Sequence, residues 1–302
     1  MSATVTHIPR SKVTALTISD FLTLKLPERS FLLNPIIPQQ GLALLYAPRG
    51  LGKTYAALSI ALAVASGGEV YDWHATSPHQ VLYIDGEMPA CSMQERLNGL
   101  SKGMKLTVPY PEFFQLITSD LQTVPMPNLA SAVGQQAIEA LIQDTKLIVI
   151  DNLATLCRNG RENESDSWMP VQSWLLDLRR RGLSVLIVHH AGKSGDQRGT
   201  SAKEDIMDTV ISLKRPKGYT MQEGARFEVH LTKARGVAGE EVKPFEAQLI
   251  EENSALSWKK RDIEEAELGQ LKKHLENGLS IREIAEEMGK SKSAIHRLKN
   301  KI

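Results

Sequence analysis

Short apolar runs recur along the chain at 42–46, 81–84, 114–117, 147–150, 185–188 and 209–213. Each is apolar at consecutive positions, the pattern of a strand covered on both faces. Between them, residues 55–66, 130–143 and 169–181 repeat apolar positions at helical spacing. Short apolar strands alternating with helices predict an α/β core, a mainly parallel sheet with helices on both faces. After Val210 the rhythm shortens. Residues 227–233 and 245–249 alternate apolar with polar, which predicts an antiparallel edge. A charged stretch at 259–265 reads as a boundary, and residues 268–276, 281–288 and 290–301 then show helical periodicity of their own. Ser280 is placed to cap the second of these helices and Gly289 to stop it. Ile281, Ile284, Ala285, Met288, Ile295 and Leu298 can close one small core. The pattern divides the chain into a polar, weakly ordered arm at 1–25, the α/β core at 26–258 and a small all-α module at 262–302, with no internal repeat.

Bulk composition changes this picture little. The chain has 302 residues, 42% of them apolar, and a formal net charge of +1. Overall charge therefore gives no argument for a nucleic-acid partner, and any such argument rests on local patches. Cys91 and Cys157, the only cysteines, are too few for a disulfide framework or a four-cysteine zinc site and suit a reducing compartment. No apolar run reaches the roughly 18 residues of a spanning helix, and residues 1–10 lack the apolar centre of a secretory signal. The expectation is a soluble, cytoplasmic protein without membrane contact.

The most specific chemistry lies just after the first apolar run. Residues 46–55 read YAPRGLGKTY, and Ala47, Pro48, Arg49, Gly50, Leu51, Gly52, Lys53, Thr54 and Tyr55 are the candidate nucleotide-binding positions. Small residues let backbone N–H groups curl around phosphate oxygens. In such a P-loop, Lys53 reaches the β and γ phosphates, Thr54 holds Mg²⁺ through its hydroxyl, and the next helix points its N-terminus at the anion. Ala47 stands where a glycine is usual, which requires an unstrained backbone there. The expected ligands are ATP and Mg²⁺. The run at 147–150 leads into Asp151, a carboxylate placed to join the Mg²⁺ shell.

Residues 81–89, VLYIDGEMP, resemble the corresponding strand end of RecA-type ATPases, and the Glu-Met-Pro is similar to DnaB-type replicative helicases. The resemblance implies that Glu87 orients the water attacking the γ phosphate, with Asp85 as the alternative. Residues 184–190 end in His189 and His190. Where RecA and DnaB relatives carry a sensing glutamine, plasmid RepA-type helicases carry a similar His-His pair. This implies a γ-phosphate sensor at His190, with His189 second. Thr232-Lys-Ala-Arg-Gly236 resembles the Lys-x-Arg-x-Gly segment of DnaB-type helicases, its glycine one position earlier. There the two cations reach the phosphate bound by the next subunit, which implies that Lys233 and Arg235 act in trans within a homo-oligomer, a hexamer by analogy. The resemblance spans residues 30–250 and implies a RecA-like P-loop NTPase core. The short stretch before that core leaves no room for the helical domain through which DnaB-type helicases meet primase, so coupling of that kind is not expected.

Nucleic-acid contacts are expected in two places. In RecA-like rings the loop after the His190 strand faces the channel, and here it offers Lys193, Arg198 and Lys203 to the phosphates of a single strand. Trp168, after the Asp151 strand, suits packing better than base stacking. The terminal module looks like a helix-turn-helix of the Ser-Ile-Arg-Glu-Ile-Ala type. Its last helix would offer Ser291, Lys292, Ser293, His296, Arg297 and Lys299 to duplex DNA, although Glu264, Glu265 and Glu267 offset much of the module's charge. The resulting expectation is an ATP-hydrolysing, oligomeric DNA motor similar to RepA-type replicative helicases. The alternatives are an ATP-gated DNA-binding regulator or loader without unwinding activity and, more remotely, a scaffolding ATPase.

Overall fold

The computed structural model describes residues 13–158, 165–191, 202–216 and 218–302. Its centre is a nine-stranded sheet built from β1 (Leu42–Ala47), β2 (Val81–Asp85), β3 (Phe114–Thr118), β4 (Leu147–Asp151), β5 (Ser184–His190), β6 (Thr209–Lys214), β7 (Arg226–Ala234), β8 (Phe245–Glu252) and β9 (Ala255–Asp262). The spatial order is β9-β8-β7-β6-β1-β5-β4-β2-β3. From β6 to β3 the six strands run parallel, and β7, β8 and β9 extend the sheet antiparallel.

Alternation along each strand divides the core in two. In β1, Ala43, Leu45 and Ala47 join the cluster on one face, while Leu42, Leu44 and Tyr46 join the cluster on the other. Helix α1 (Lys53–Ser66) is buried almost all round and covers the first face with α2 (Ala90–Gly103). Helix α3 (Ser165–Arg180) covers the second face through Val171, Trp174, Leu175 and Leu178. Trp168 is 5% exposed and packs in this cluster. Each large aliphatic side chain buried this way contributes roughly 1.5–3 kcal/mol.

Three features depart from the sequence-based expectation. β9 runs through Asp262 and takes in much of the charged stretch read as a boundary. It does so because Arg261 and Lys259 face Glu246 and Gln248 across the ladder, while Trp258 faces Leu249. The helix expected over 130–143 is reduced to Ala132–Ala137 and a 3-10 turn at Glu139–Leu141. Gly134 lies against the Asn128 backbone there, and Val133 is 83% exposed, so little burial supports a longer helix. The lead-in before β1 is not merely extended: Phe31–Leu33 and Ile37–Pro38 pair as a small antiparallel hairpin whose Leu32, Leu33, Ile36 and Ile37 are buried under the α1 face.

Helices α4 (Ile263–Glu276), α5 (Ile281–Glu287) and α6 (Lys292–Lys299) follow β9 directly. Leu271, Ile284, Ala285, Met288, Ile295 and Leu298 form a cluster of their own. Ser280 caps α5 with a reciprocal Glu283 contact, and Gly289 turns the chain at φ +56°. Before the core, Thr17 caps a short helix, Ile18–Thr23, that buries none of its residues. Among the described residues, no helix is long and apolar enough to cross a membrane.

Candidate nucleotide site

β1 ends at Ala47, and the loop beyond it turns through Gly50 at φ +73° and Gly52 at φ +99°. A side chain at Gly52 would be strained by that φ, and its Cβ would lie 2.7 Å from the Ala225 Cβ, so only glycine fits. Ala47 is still within the strand and is not among the residues with positive φ, so its methyl group is accommodated without strain. Leu51 is fully buried and pins the loop to the core. Gly52 then caps α1 without a side-chain bond, leaving the first helical N–H groups directed at the loop, the arrangement that attracts phosphate. Lys53 is 7% exposed, and its Nζ donates to the Pro48 carbonyl at 3.1 Å. Burial pulls its pKa down to about 8, against the opposing pull of Asp151 and Glu87.

Asp85 and Asp151 end β2 and β4 and face each other across the ladder. Asp151 accepts a bond from the Tyr83 hydroxyl at 2.7 Å and another from Thr54. Asp85 accepts from the Met88 N–H at 2.9 Å. Burial raises both carboxyls, Asp85 to about 7. Two desolvated carboxyl groups side by side, with a hydroxyl next to one, are hard oxygen donors that a small divalent cation relieves. Among the described residues no group of three or more His, Cys, Asp or Glu side chains forms a metal cage. The few hard oxygens of Asp85, Asp151 and Thr54 fit Mg²⁺, whose shell phosphate and water would complete.

Glu87 lies just past β2 and is 60% exposed at its side chain. Asn152 Nδ2 donates to Glu87 Oε2 at 2.5 Å, and His190 Nε2 is 3.8 Å from the same oxygen. Asn152 is itself fixed: its Oδ1 accepts from Ala154 N at 3.0 Å and Thr155 N at 3.3 Å. The cleft these groups share has a volume of about 460 Å³, with Arg96 on one wall and Gly224 and Ala225 on another. The Arg96 guanidinium lies 4.3 Å from the centre of the Tyr55 ring, also on the cleft.

A P-loop between a central strand and a buried helix, with acids at the ends of neighbouring strands, is one half of the case for a family. The other half is the sequence itself: residues 8–196 match the family model described as the AAA domain. The chain belongs to the AAA domain family. Its mainly parallel sheet, with helices on both faces and a P-loop after the central strand β1, is a P-loop NTPase fold, and it carries the nucleotide-binding loop of that family. Among solved structures the chain is similar to the flagellar accessory protein FlaH from Methanocaldococcus jannaschii, at 12% identity over 74% of this chain and 91% of that one, TM-score 0.49. It is also similar to a KaiC-like protein from Pyrococcus horikoshii OT3, at 17% identity over 74% and 90% of the two chains, TM-score 0.47.

In this AAA-domain chain the cleft gathers Gly50, Gly52, Lys53, Thr54, Tyr55, Glu87, Asp151 and His190 from the sequence reading. It also brings in Asn152 and Arg96, which the sequence did not single out, while the fully buried Tyr83 supports Asp151 from the core. Lys233 and Arg235 are elsewhere. β7 runs antiparallel to β6, so Val210 and Lys233 pair near the start of β6, in register with Leu44 and so about 10 Å down the sheet from the start of the P-loop at strand spacing. There Lys233 Nζ donates to the carbonyls of Glu204 at 2.5 Å and Asp205 at 3.2 Å, and Arg235 donates to the Asp205 carbonyl at 2.8 Å. The buried Asp208 carboxylate lies 3.9 Å from Arg235, 3.7 Å from Arg29 and 3.6 Å from Arg179.

Lys203, expected on a loop facing DNA, is 6% exposed with its Nζ 3.3 Å from His189 Nε2. Its ammonium is turned into the protein beside β5, which corrects its reading as a surface phosphate contact. Lys193 and Arg198 lie outside the described residues. Ser291, Lys292, Ser293, His296, Arg297 and Lys299 are all exposed along α6. The acids of α4 do not cover them: Glu267 pairs with Lys290 at 2.8 Å and Glu264 with Lys301.

Proposed function

We propose that this chain is an ATP-hydrolysing, oligomeric motor acting on DNA, a replicative helicase or translocase similar to the RepA type. The observation that carries the reading is the separation of Lys233 and Arg235 from their own P-loop. Two cations tethered to backbone carbonyls at the far end of the sheet serve no nucleotide held by the same chain. They fit the cleft of a head-to-tail neighbour, and head-to-tail contacts whose rotation closes give a ring.

In this reading the P-loop amides and Lys53 cradle the triphosphate, and Thr54 and Asp151 hold Mg²⁺, which neutralises charge on the phosphates when bound. Glu87, held by Asn152, orients water at the γ phosphate. His190, beside the same Glu87 oxygen, registers the loss of that phosphate. Arg235 and Lys233 from the next subunit stabilise charge on the transferred group. Single-stranded DNA passes through the channel, and α6 adds contacts to duplex.

The test is the assembled mass of the full chain together with ATP turnover and strand displacement on a forked duplex, with and without single-stranded DNA. A six-subunit assembly with DNA-stimulated turnover and displacement supports the motor. Turnover without displacement supports a second reading, an ATP-gated regulator or loader, which the exposed cationic face of α6 favours. No turnover in folded, nucleotide-bound protein refutes both.

A further inference from the structure

Between the two ends of the sheet lies a four-residue helix, Ala202–Asp205, that touches both. At one end of it, Lys203 Nζ is 3.3 Å from His189 Nε2. An ammonium group has no acceptor, so the lysine donates and the imidazole nitrogen accepts. His189 is fully buried and adjoins His190, whose Nε2 is 3.8 Å from Glu87 Oε2 in the cleft. At the other end of this helix, the Glu204 and Asp205 carbonyls hold the Lys233 ammonium, and the Asp205 carbonyl also holds the Arg235 guanidinium. One turn therefore has the Lys203 side chain on His189, the buried neighbour of the cleft's His190, and its carbonyls on both cations.

We infer that Lys203 is a positioning residue that ties the state of a subunit's own cleft to the placement of Lys233 and Arg235 toward the neighbouring subunit's nucleotide. The inference rests on the shared-site reading above and deepens it. A shift of His190 when the group beside Glu87 changes moves His189, the residue just before it in the same strand. Lys203 follows its acceptor, and the Glu204 and Asp205 carbonyls move with the turn that carries Lys203. The cations are held mainly by those carbonyls, so they advance or withdraw as the turn does. This is a discrete hydrogen-bonded chain, the kind of link through which two sites bias one element. It also accounts for the burial of a lysine in this position, since a solvent-facing role would leave the side chain exposed.

The test is a double-mutant cycle on the full chain without DNA, reading kcat and KM for ATP in the wild type, Lys203→Met, Arg235→Ala and the pair. The expected result is a kcat lowered about tenfold in Lys203→Met with KM within about twofold of wild type, and most of the rate restored in Lys203→Arg. The double variant is expected to fall below Arg235→Ala by much less than the loss in Lys203→Met alone, because only the placement of Lys233 is then left for Lys203 to affect. Lys203→Gln, which keeps a donor at a shorter reach, should fall between and serves if Lys203→Met does not fold. Wild-type kcat in Lys203→Met or Lys203→Gln overturns the inference, as does a double variant whose loss is the product of the single losses. Wild-type turnover in Arg235→Ala overturns the shared site and the inference with it; a slow Arg235→Ala beside a normal Lys203→Met overturns the inference alone.

Discussion

At the carboxyl ends of β1, β2, β4 and β5, the ionisable groups are mostly buried and hold one another. Lys53 is pulled down to about 8 by desolvation, and Asp85 is pushed up to about 7. Near the opposite ends of the same strands, Arg29, Arg179 and Arg235 are partly exposed, between 38% and 46%, around the single buried carboxylate of Asp208. The first group is arranged to receive a charged ligand, since burial has stripped its members of water and a triphosphate with its cation supplies what they lack. The second group sets three guanidinium groups about one carboxylate and keeps them partly exposed to solvent. The first end keeps most of its charges buried; the second keeps its own half-exposed.

The sharpest way to break this contrast is at Lys53. Lys53→Ala should lower turnover by at least about 10³-fold and weaken nucleotide binding as well, read by calorimetry, because the lysine acts on ground state and transition state alike. At the far end, Arg235→Ala should lower kcat by about 10³-fold while the chain's own nucleotide affinity stays unchanged. Equal weakening of affinity would move Arg235 into its own cleft and erase the distinction. A smaller effect lies with Asn152, whose contact sets the Glu87 carboxylate. Asn152→Ala should cost about tenfold in kcat with KM unchanged; an unchanged kcat would leave Glu87 positioned by other groups.

The smallest effect is on stability. Asp85 has a folded-state pKa of about 7, above its unfolded value near 4. The folded state therefore binds the extra proton between those values, and wild-type stability falls as pH rises through that window. Asp85→Asn keeps an acceptor for Met88 N and removes the cost of ionising a buried carboxyl. It should raise Tm by a few degrees at pH 8, with the gain fading as pH falls toward 4. A gain that is the same at both pH values would place its cause outside this carboxyl's ionisation.

The same contrast explains what could be read from the chain before its structure. The strand ends carrying Ala47, Asp85, Asp151 and His190 were legible because doubly buried strands are uninterrupted apolar runs and the chemistry follows where each run stops. The terminal core of Leu298, Ile295, Met288, Ala285 and Ile284 was legible from helical spacing. Helix α2 was not, because it buries only Met93, Gly99 and Leu100. β9 was not, because Arg261 is only half-buried and held by its pairing with Glu246 at 2.6 Å, a partner that no local pattern reveals. Asn152 follows Asp151 and could have been noticed as the cap of the next turn, but its bond to Glu87 joins residues far apart in sequence. Lys203 misled for the same reason: a lysine in a Gly-rich segment reads as solvent-facing until His189 is placed beside it.

The central claim is that each nucleotide is worked on by two chains. The most direct measurement mixes two inactive variants, Lys53→Ala and Arg235→Ala, under conditions that let subunits exchange, and follows ATP turnover. The account predicts that activity returns, to about a quarter of wild type in an equal random mixture, because an intact cleft then meets an intact Arg235 at one junction in four. Co-assembled mixtures that stay as inactive as either variant alone would contradict it.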